Sequence, residues 1–349
     1  MKKVQQIKNL FFLLILMLLV SVTMADEQKK TFHEKYDVNA DAELIISNEY
    51  GNVVIETWDK NQVVIDIVIT VDGKSESKAK EILDKIVINF NGSPSVVKVE
   101  TYIKGKLSCN NCKLNIDYDI KMPATNKLDL KNSFGNAHVG DLSGKTNFKI
   151  SYGNLTLGKL GSKENVIDMN FGDVDIEKLK AADINMEYGS LELGEAGYLD
   201  LYVRFAGVEM GSVSELILDG EYESAEIGSV NLLRAKLSFM GLEIGELFDK
   251  LDIITTYGVV EVSRVSGGFS SIDITTEFGG VELGISSSAS YKLEASNSFG
   301  DINFPESRAE VKKYVKDSFN SEIEAFIGDD ASSLATVVIK ATNSGVDIH

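Results

Sequence analysis

Six glutamates recur along this 349-residue chain at near-constant spacing: Glu192, Glu209, Glu226, Glu243, Glu261 and Glu282. His138, Thr156 and Asp175 precede them, and Asn303 follows, at the same place in a repeated unit. A row of carboxylates can hold a divalent cation, attract a basic partner, or supply the acid and base of a hydrolase. Calcium needs about six to eight oxygen ligands, and a strip of side chains with no fixed loop or backbone carbonyls offers only a loose site. The plainer reading is a solvated face that keeps a long sheet from pairing with other chains. Both stand at this point, and calcium is the one cofactor these residues suggest.

The rest of the reactive inventory is sparse. A polysaccharide lyase or hydrolase gathers paired carboxylates, or calcium beside a base, on neighbouring elements. Here Lys131, Lys149, Lys178, Arg204, Arg234 and Arg264 are scattered, and His138 is the sole histidine within the repeats. No catalytic set emerges, so a non-enzymatic protein is expected. Cys109 and Cys112, the only two cysteines, flank a polar Asn-Asn turn. A disulfide, a redox pair and half of a zinc site are the three readings of such spacing. No thioredoxin-like pattern surrounds them, and export favours the disulfide.

The elements that must position the glutamates are written in the same repeat. An aromatic stands at Phe134, Tyr152, Phe171, Tyr188, Phe205, Tyr222, Phe239, Tyr257, Phe278 and Phe299, in steps of 17 to 21 residues. Within one unit, FKISYGNLTLGKL from Phe148 to Leu160, apolar residues alternate, a glycine interrupts, and alternation resumes. That is strand, corner, strand, with glycine where the chain turns. Four residues before each aromatic runs an apolar column from Leu130 and Phe148 to Ala295, and five after it a second from Val139 to Phe304. A unit this short holds no helix and buries nothing alone, so it must stack on its neighbours. The fold expected is all-β: a single-stranded parallel β-helix solenoid, right-handed by the habit of such folds, with the aromatics as core or corner packing.

Taken in order, residues 1–25 carry Lys2, Lys3 and Lys8, an apolar run from Leu10 to Val22 and Thr23-Met24-Ala25, the marks of a secretory signal peptide. Its removal takes the formal charge from −18 to about −21, which disfavours nucleic acid and anionic lipid as partners. No membrane span is expected after cleavage. Residues 26–127 hold a first coil near Leu44 to Ile55 and then an α/β excursion, with a helix over Ser75 to Ile86, read as the N-terminal cap. Residues 128–304 are the repeats. Residues 305–349 are read as a C-terminal cap, with a helix from Glu306 to Phe319, strands near Glu322 to Ile327 and Leu334 to Ala341, and a last coil at Ser344 to Ile348. The sequence ends within that coil, so no C-terminal anchor or translocator barrel is expected.

The run IDYDIKMPATNKLDLKNSFGNAHVGDL, Ile116 to Leu142, together with the repeated aromatic-Gly-x-Val/Leu-x-Val/Leu units, resembles the putative adhesin family of bacterial envelope β-helix proteins, a domain of unknown function. The resemblance covers the chain from about Ala42 onward. It implies a periplasmic or cell-surface location and an adhesive role toward an envelope or extracellular glycan or protein. A self-assembling envelope scaffold is the alternative, with a polysaccharide-active enzyme behind it. The family brings no catalytic residues to carry over.

Overall fold

Alternating apolar and polar residues make each unit a strand with one face inward, and the computed structural model, which describes residues 26–107 and 112–349, winds those strands into stacked coils. Glu43–Glu49, Lys127–Ser133, Thr146–Ser151 and Asn165–Asn170 pair in parallel, each with the next. Beyond the corner, Val53–Trp58, Ala137–Val139 and Leu155–Leu160 do the same. From Val174 to Thr256 successive coils pair along their whole length, up to and past left-handed corners at Tyr188, Phe205, Tyr222 and Phe239. Two parallel stacks meeting at a corner are the frame of an all-β solenoid.

The core is the set of inward columns. Both predicted columns are inside: from Leu130 to Ala295 before the aromatic, and from Val139 to Leu283 after it, every member is buried, with Phe304 partly so. The same coils bury further columns, among them Leu142, Leu160, Leu179, Val213 and Leu247 beyond the second strand. Burial of one large apolar side chain contributes roughly 1.5 to 3 kcal/mol. The rod is therefore held by contacts between successive coils and has no central globule.

Glycines after the aromatics are set by close approach. A Cβ on Gly153 would lie 2.1 Å from the backbone oxygen of Gly135, and one on Gly135 would lie 2.0 Å from that of Gly51. Successive corners nest too tightly for a side chain.

The stack changes character at its ends. Gln62–Gly73 pairs antiparallel with Lys113–Pro123 and with Asp26–Asp37, the last a strand that the alternation had not disclosed. The predicted helix is present as Glu76–Leu83, with the Ser75 hydroxyl accepting from the Lys78 N–H and Ala79, Ile82 and Leu83 buried. Glu43–Glu49, first among the coils in sequence, is second in space, between Val96–Ile103 and Lys127–Ser133. At the other end Thr336–Thr342 lies between Ser271–Glu277 and Tyr291–Ser298.

The helix expected from Glu306 to Phe319 is not there. A single 3-10 turn at Glu306–Arg308 leads into a strand, Ala309–Lys316, antiparallel to Asn320–Ile327. Val311, Tyr314, Val315 and Phe319 are spaced as on a helix face, but β-branched and aromatic residues also suit a strand. A partner strand four residues away decides the matter. Asp317 closes the hairpin by accepting from the N–H groups of Phe319 and Asn320.

Candidate functional site

The corner after the first strand builds the most distinctive surface. Tyr50 and every repeat aromatic from Phe134 to Phe299 have a positive φ, between 52° and 65°. Non-glycine residues rarely hold this left-handed conformation. Here it turns each ring outward over the ring of the coil beneath. From Tyr50 to Phe278 successive centroids lie 4.6 to 5.4 Å apart with planes within 10° of parallel. The aromatics are corner residues and not core: most are about half exposed, Tyr222 least at 38% and Phe278 at 48% among the stacked exposed rings. Ring faces are covered by their neighbours, so solvent meets ring edges.

Two residues past each aromatic, an outward column changes along the rod. At its N-terminal part, Asn52, Asn136 and Asn154 each accept from the backbone N–H one coil on, at 2.9 to 3.1 Å, and Ser190 donates to Asp173 at 2.7 Å. The column then shrinks to Gly207, Ser224 and Gly241, and a Cβ built on Gly207 or Gly241 would meet nothing within 4 Å. The result is a groove of about 260 Å³ lined by Ser190, Glu192, Gly207, Glu209, Ser224 and Glu226. Gly207, Ser224 and Gly241 recur at the repeat spacing, but small residues at an outward position carry no chemical signal that would mark a floor.

The glutamates lie where the repeat placed them. Glu243 is opposite Glu261, Glu261 opposite Glu282, and Glu282 opposite Asp347, with Asn303 beyond. Thr156 sits between His138 and Asp175 in the same column. None of the six glutamates, Glu192 to Glu282, is in an ion pair among the described residues. Elsewhere on the rod, charges are matched from coil to coil: Lys159 with Glu177 at 3.0 Å, Lys178 with Glu195 at 2.5 Å, Arg204 with Glu221 at 3.3 Å, Arg264 with Glu246 at 2.7 Å. Such pairs raise the pKa of Lys159, chiefly through its hydrogen bond to Glu177, and lower that of Glu195 through its hydrogen bond to Lys178. The strip is thus a row of carboxylates without counter-charge. Among the described residues no three His, Cys, Asp or Glu side chains converge as a metal ion would require.

Of the two cysteines, Cys112 is partly buried against the core and Cys109 lies outside the described residues, as do residues 1–25. No helix among the described residues is long and apolar enough to cross a membrane.

Comparison with known proteins bears on the fold. No curated protein matches the chain. Among solved structures it is similar to a putative adhesin from Parabacteroides merdae ATCC 43184, 13% identical over 73% of this chain and 96% of that one, with a TM-score of 0.36. A putative adhesin from Parabacteroides distasonis ATCC 8503 is 16% identical over 73% and 97%, TM-score 0.37. A putative lipid binding protein from the same organism is 15% identical over 73% and 96%, TM-score 0.34. Likeness at this level says nothing about the partner of the present chain. The family model is another matter, because it matches residues 47–328, most of the sequence and nearly all of the stacked coils. The chain belongs to the Toastrack DUF4097 family.

Proposed function

We propose that this chain is an exported, non-enzymatic binding protein of the cell envelope that engages its partner through the face carrying the aromatic ladder and the glutamate strip. One observation carries the reading. The rings from Phe134 to Phe278 form a continuous, half-exposed apolar stripe, accompanied over much of its length by carboxylates with no counter-charge. Contiguous exposed apolar surface on a soluble protein marks an interaction site. Because ring edges and hydroxyls are presented and ring faces are not, the stripe suits the side chains of a protein better than the flat face of a sugar. The carboxylates select a partner with basic groups. The signal-peptide pattern of residues 1–25 supports export.

Self-assembly into a scaffold ranks behind this reading. At both ends the parallel stack gives way to antiparallel strands, and the outermost one, Ala309–Lys316, carries Lys312, Lys313 and Lys316 and a register shift near Lys312. Lysines and bulges on an edge strand oppose pairing with another molecule.

The test is co-sedimentation of the purified protein with envelopes isolated from the source cells. Tyr188→Asn, Phe205→Asn and Tyr222→Asn together remove three rings while keeping residues that tolerate the left-handed corner. Binding is expected to fall about tenfold with the circular dichroism spectrum retained, the loss of a modest hot spot. Protease treatment of the envelopes should abolish binding of the parent. Undiminished sedimentation of the triple variant would overturn the reading.

A further inference from the structure

In a solenoid that simply winds, Ser271–Glu277 and Tyr291–Ser298 would be neighbours. Instead Thr336–Thr342 lies between them and pairs in parallel with both. Past the corner, Gly345–Ile348 is likewise held between Gly280–Ile285 and Ile302–Asn303. Residues 336–348 are thus a complete coil seated in a slot. The slot's rim closes on it: the Phe278 N–H donates to Thr342 O at 3.0 Å, the Asn343 N–H to Ser298 O at 2.8 Å, and the Ile285 N–H to His349 O at 2.7 Å. Val337, Ile339, Ala341, Val346 and Ile348 fill its interior and are at most 6% exposed.

Three features make the slot separable from the segment that fills it. Both walls belong to one continuous stretch, residues 271–303, whose connection at 286–290 climbs two coil heights, roughly 9.6 Å at parallel-strand spacing. The filling segment is reached from the strand before it through residues 328–335. That crossing passes over the outer wall with Gly328 at a φ of 103°, the Asp330 N–H donating to the Ser290 hydroxyl at 3.0 Å, and Leu334 88% exposed. Finally, the walls are written as ordinary repeats. Phe278 and Phe299 are as far apart in sequence as Tyr257 and Phe278, but Asn343 takes the corner between them, and Phe299 packs against Phe319 at 5.6 Å. Nothing in the walls requires the inserted coil to come from the same molecule; they require its pattern and its hydrogen-bonding edges.

We infer that the slot is a strand-binding site that takes residues 336–349 from its own chain or from a second copy, so that the protein forms dimers by reciprocal exchange of this coil about a hinge at 328–335. An exchanged coil makes the same hydrogen bonds and buries the same side chains as one bound within the chain. The two forms differ in the hinge and in the cost of association, so protein concentration during folding selects between them.

Glu282 and Asp347 stand opposite each other in register, both exposed. At a strand spacing of about 4.8 Å, cysteines at these positions are within disulfide reach. In a background with Cys109→Ser and Cys112→Ser, Glu282→Cys and Asp347→Cys in one chain should bridge intramolecularly. The two single variants, unfolded, mixed and refolded together, should give an interchain-bridged heterodimer whose yield rises with protein concentration. Glu282→Cys mixed with Thr156→Cys, remote from the slot, sets the level of chance bridging. If the intrachain bridge forms but the mixture never exceeds that level, the slot serves its own chain only and the proposal is overturned. If the intrachain bridge also fails, the segment does not occupy the slot, and the proposal falls with it.

Discussion

Glu261 is the sharpest probe of the carboxylate strip, because the residues in register on both sides, Glu243 and Glu282, are also glutamates. Replacing it with glutamine keeps the size and removes the formal charge. Two unit charges about 4.8 Å apart repel by roughly 0.9 kcal/mol in bulk water. Screening at about 0.15 M salt roughly halves this, so relief from two neighbours gives Glu261→Gln about 1 kcal/mol of added stability. The gain should grow to about 1.5 kcal/mol at about 0.01 M salt and shrink to about 0.4 at about 1 M. Urea unfolding reads it directly, since urea leaves ionic strength unchanged. A variant less stable than its parent, or a gain indifferent to salt, would refute the reasoning. It would mean that Glu261 has an attractive partner, and millimolar calcium should then stabilise the parent and not the variant.

Three further outcomes are expected. Gly153→Ala drives a Cβ to 2.1 Å from a backbone oxygen and should cost about 3 kcal/mol, whereas Gly207→Ala enters open space and should shift stability by no more than about 0.5 kcal/mol in thermal melts. Tyr291→Phe removes a buried hydroxyl with no hydrogen-bond partner and should stabilise by about 1 kcal/mol. Burial pushes the Tyr291 pKa up from 10.0 to about 12, so between those pH values the unfolded phenol ionises while the folded one does not, and native stability falls as pH climbs from 10 toward 12; the variant should flatten that alkaline limb of a stability–pH profile. Reduction of the purified protein should raise its intact mass by about 2 Da, the signature of the disulfide expected between Cys109 and Cys112.

Local pattern told most about the coils. The columns through Leu130 and Val139 are buried because alternation with a fixed period leaves a strand no other way to face. The helix at Glu76–Leu83 was equally legible, since its cap, Ser75, and its buried face are neighbours in sequence. Val311, Tyr314 and Val315 misled because their spacing fits either element, and the choice was made by pairing with Asn320–Ile327. Nor could the repeat say which coil lies next to which. The pattern at Ser344 to Ile348 announces a coil, yet the same pattern would dock against any neighbour, and its place between Gly280–Ile285 and Ile302–Asn303 depends on contacts far apart in sequence. At the site, the glutamate column was visible as a row. Its lack of counter-charge was not, because that depends on which faces receive the lysines and arginines. The left-handed aromatic corners have only a faint signal, the glycine that follows most of them.

A linear stack ordinarily frays from its tips, where an outer unit has one neighbour and can peel away alone. Here the outermost coil at each tip is not the one nearest the chain end: 43–58 lies inside 96–123, and 336–348 lies inside 291–303. Neither 43–58 nor 336–348 can therefore peel by itself, since each is held between two other coils. Amide hydrogens of Val337 and Ile339 should consequently exchange with solvent as slowly as those of mid-rod residues such as Leu201, and opening at the tips should be a single large event in place of a progressive melt.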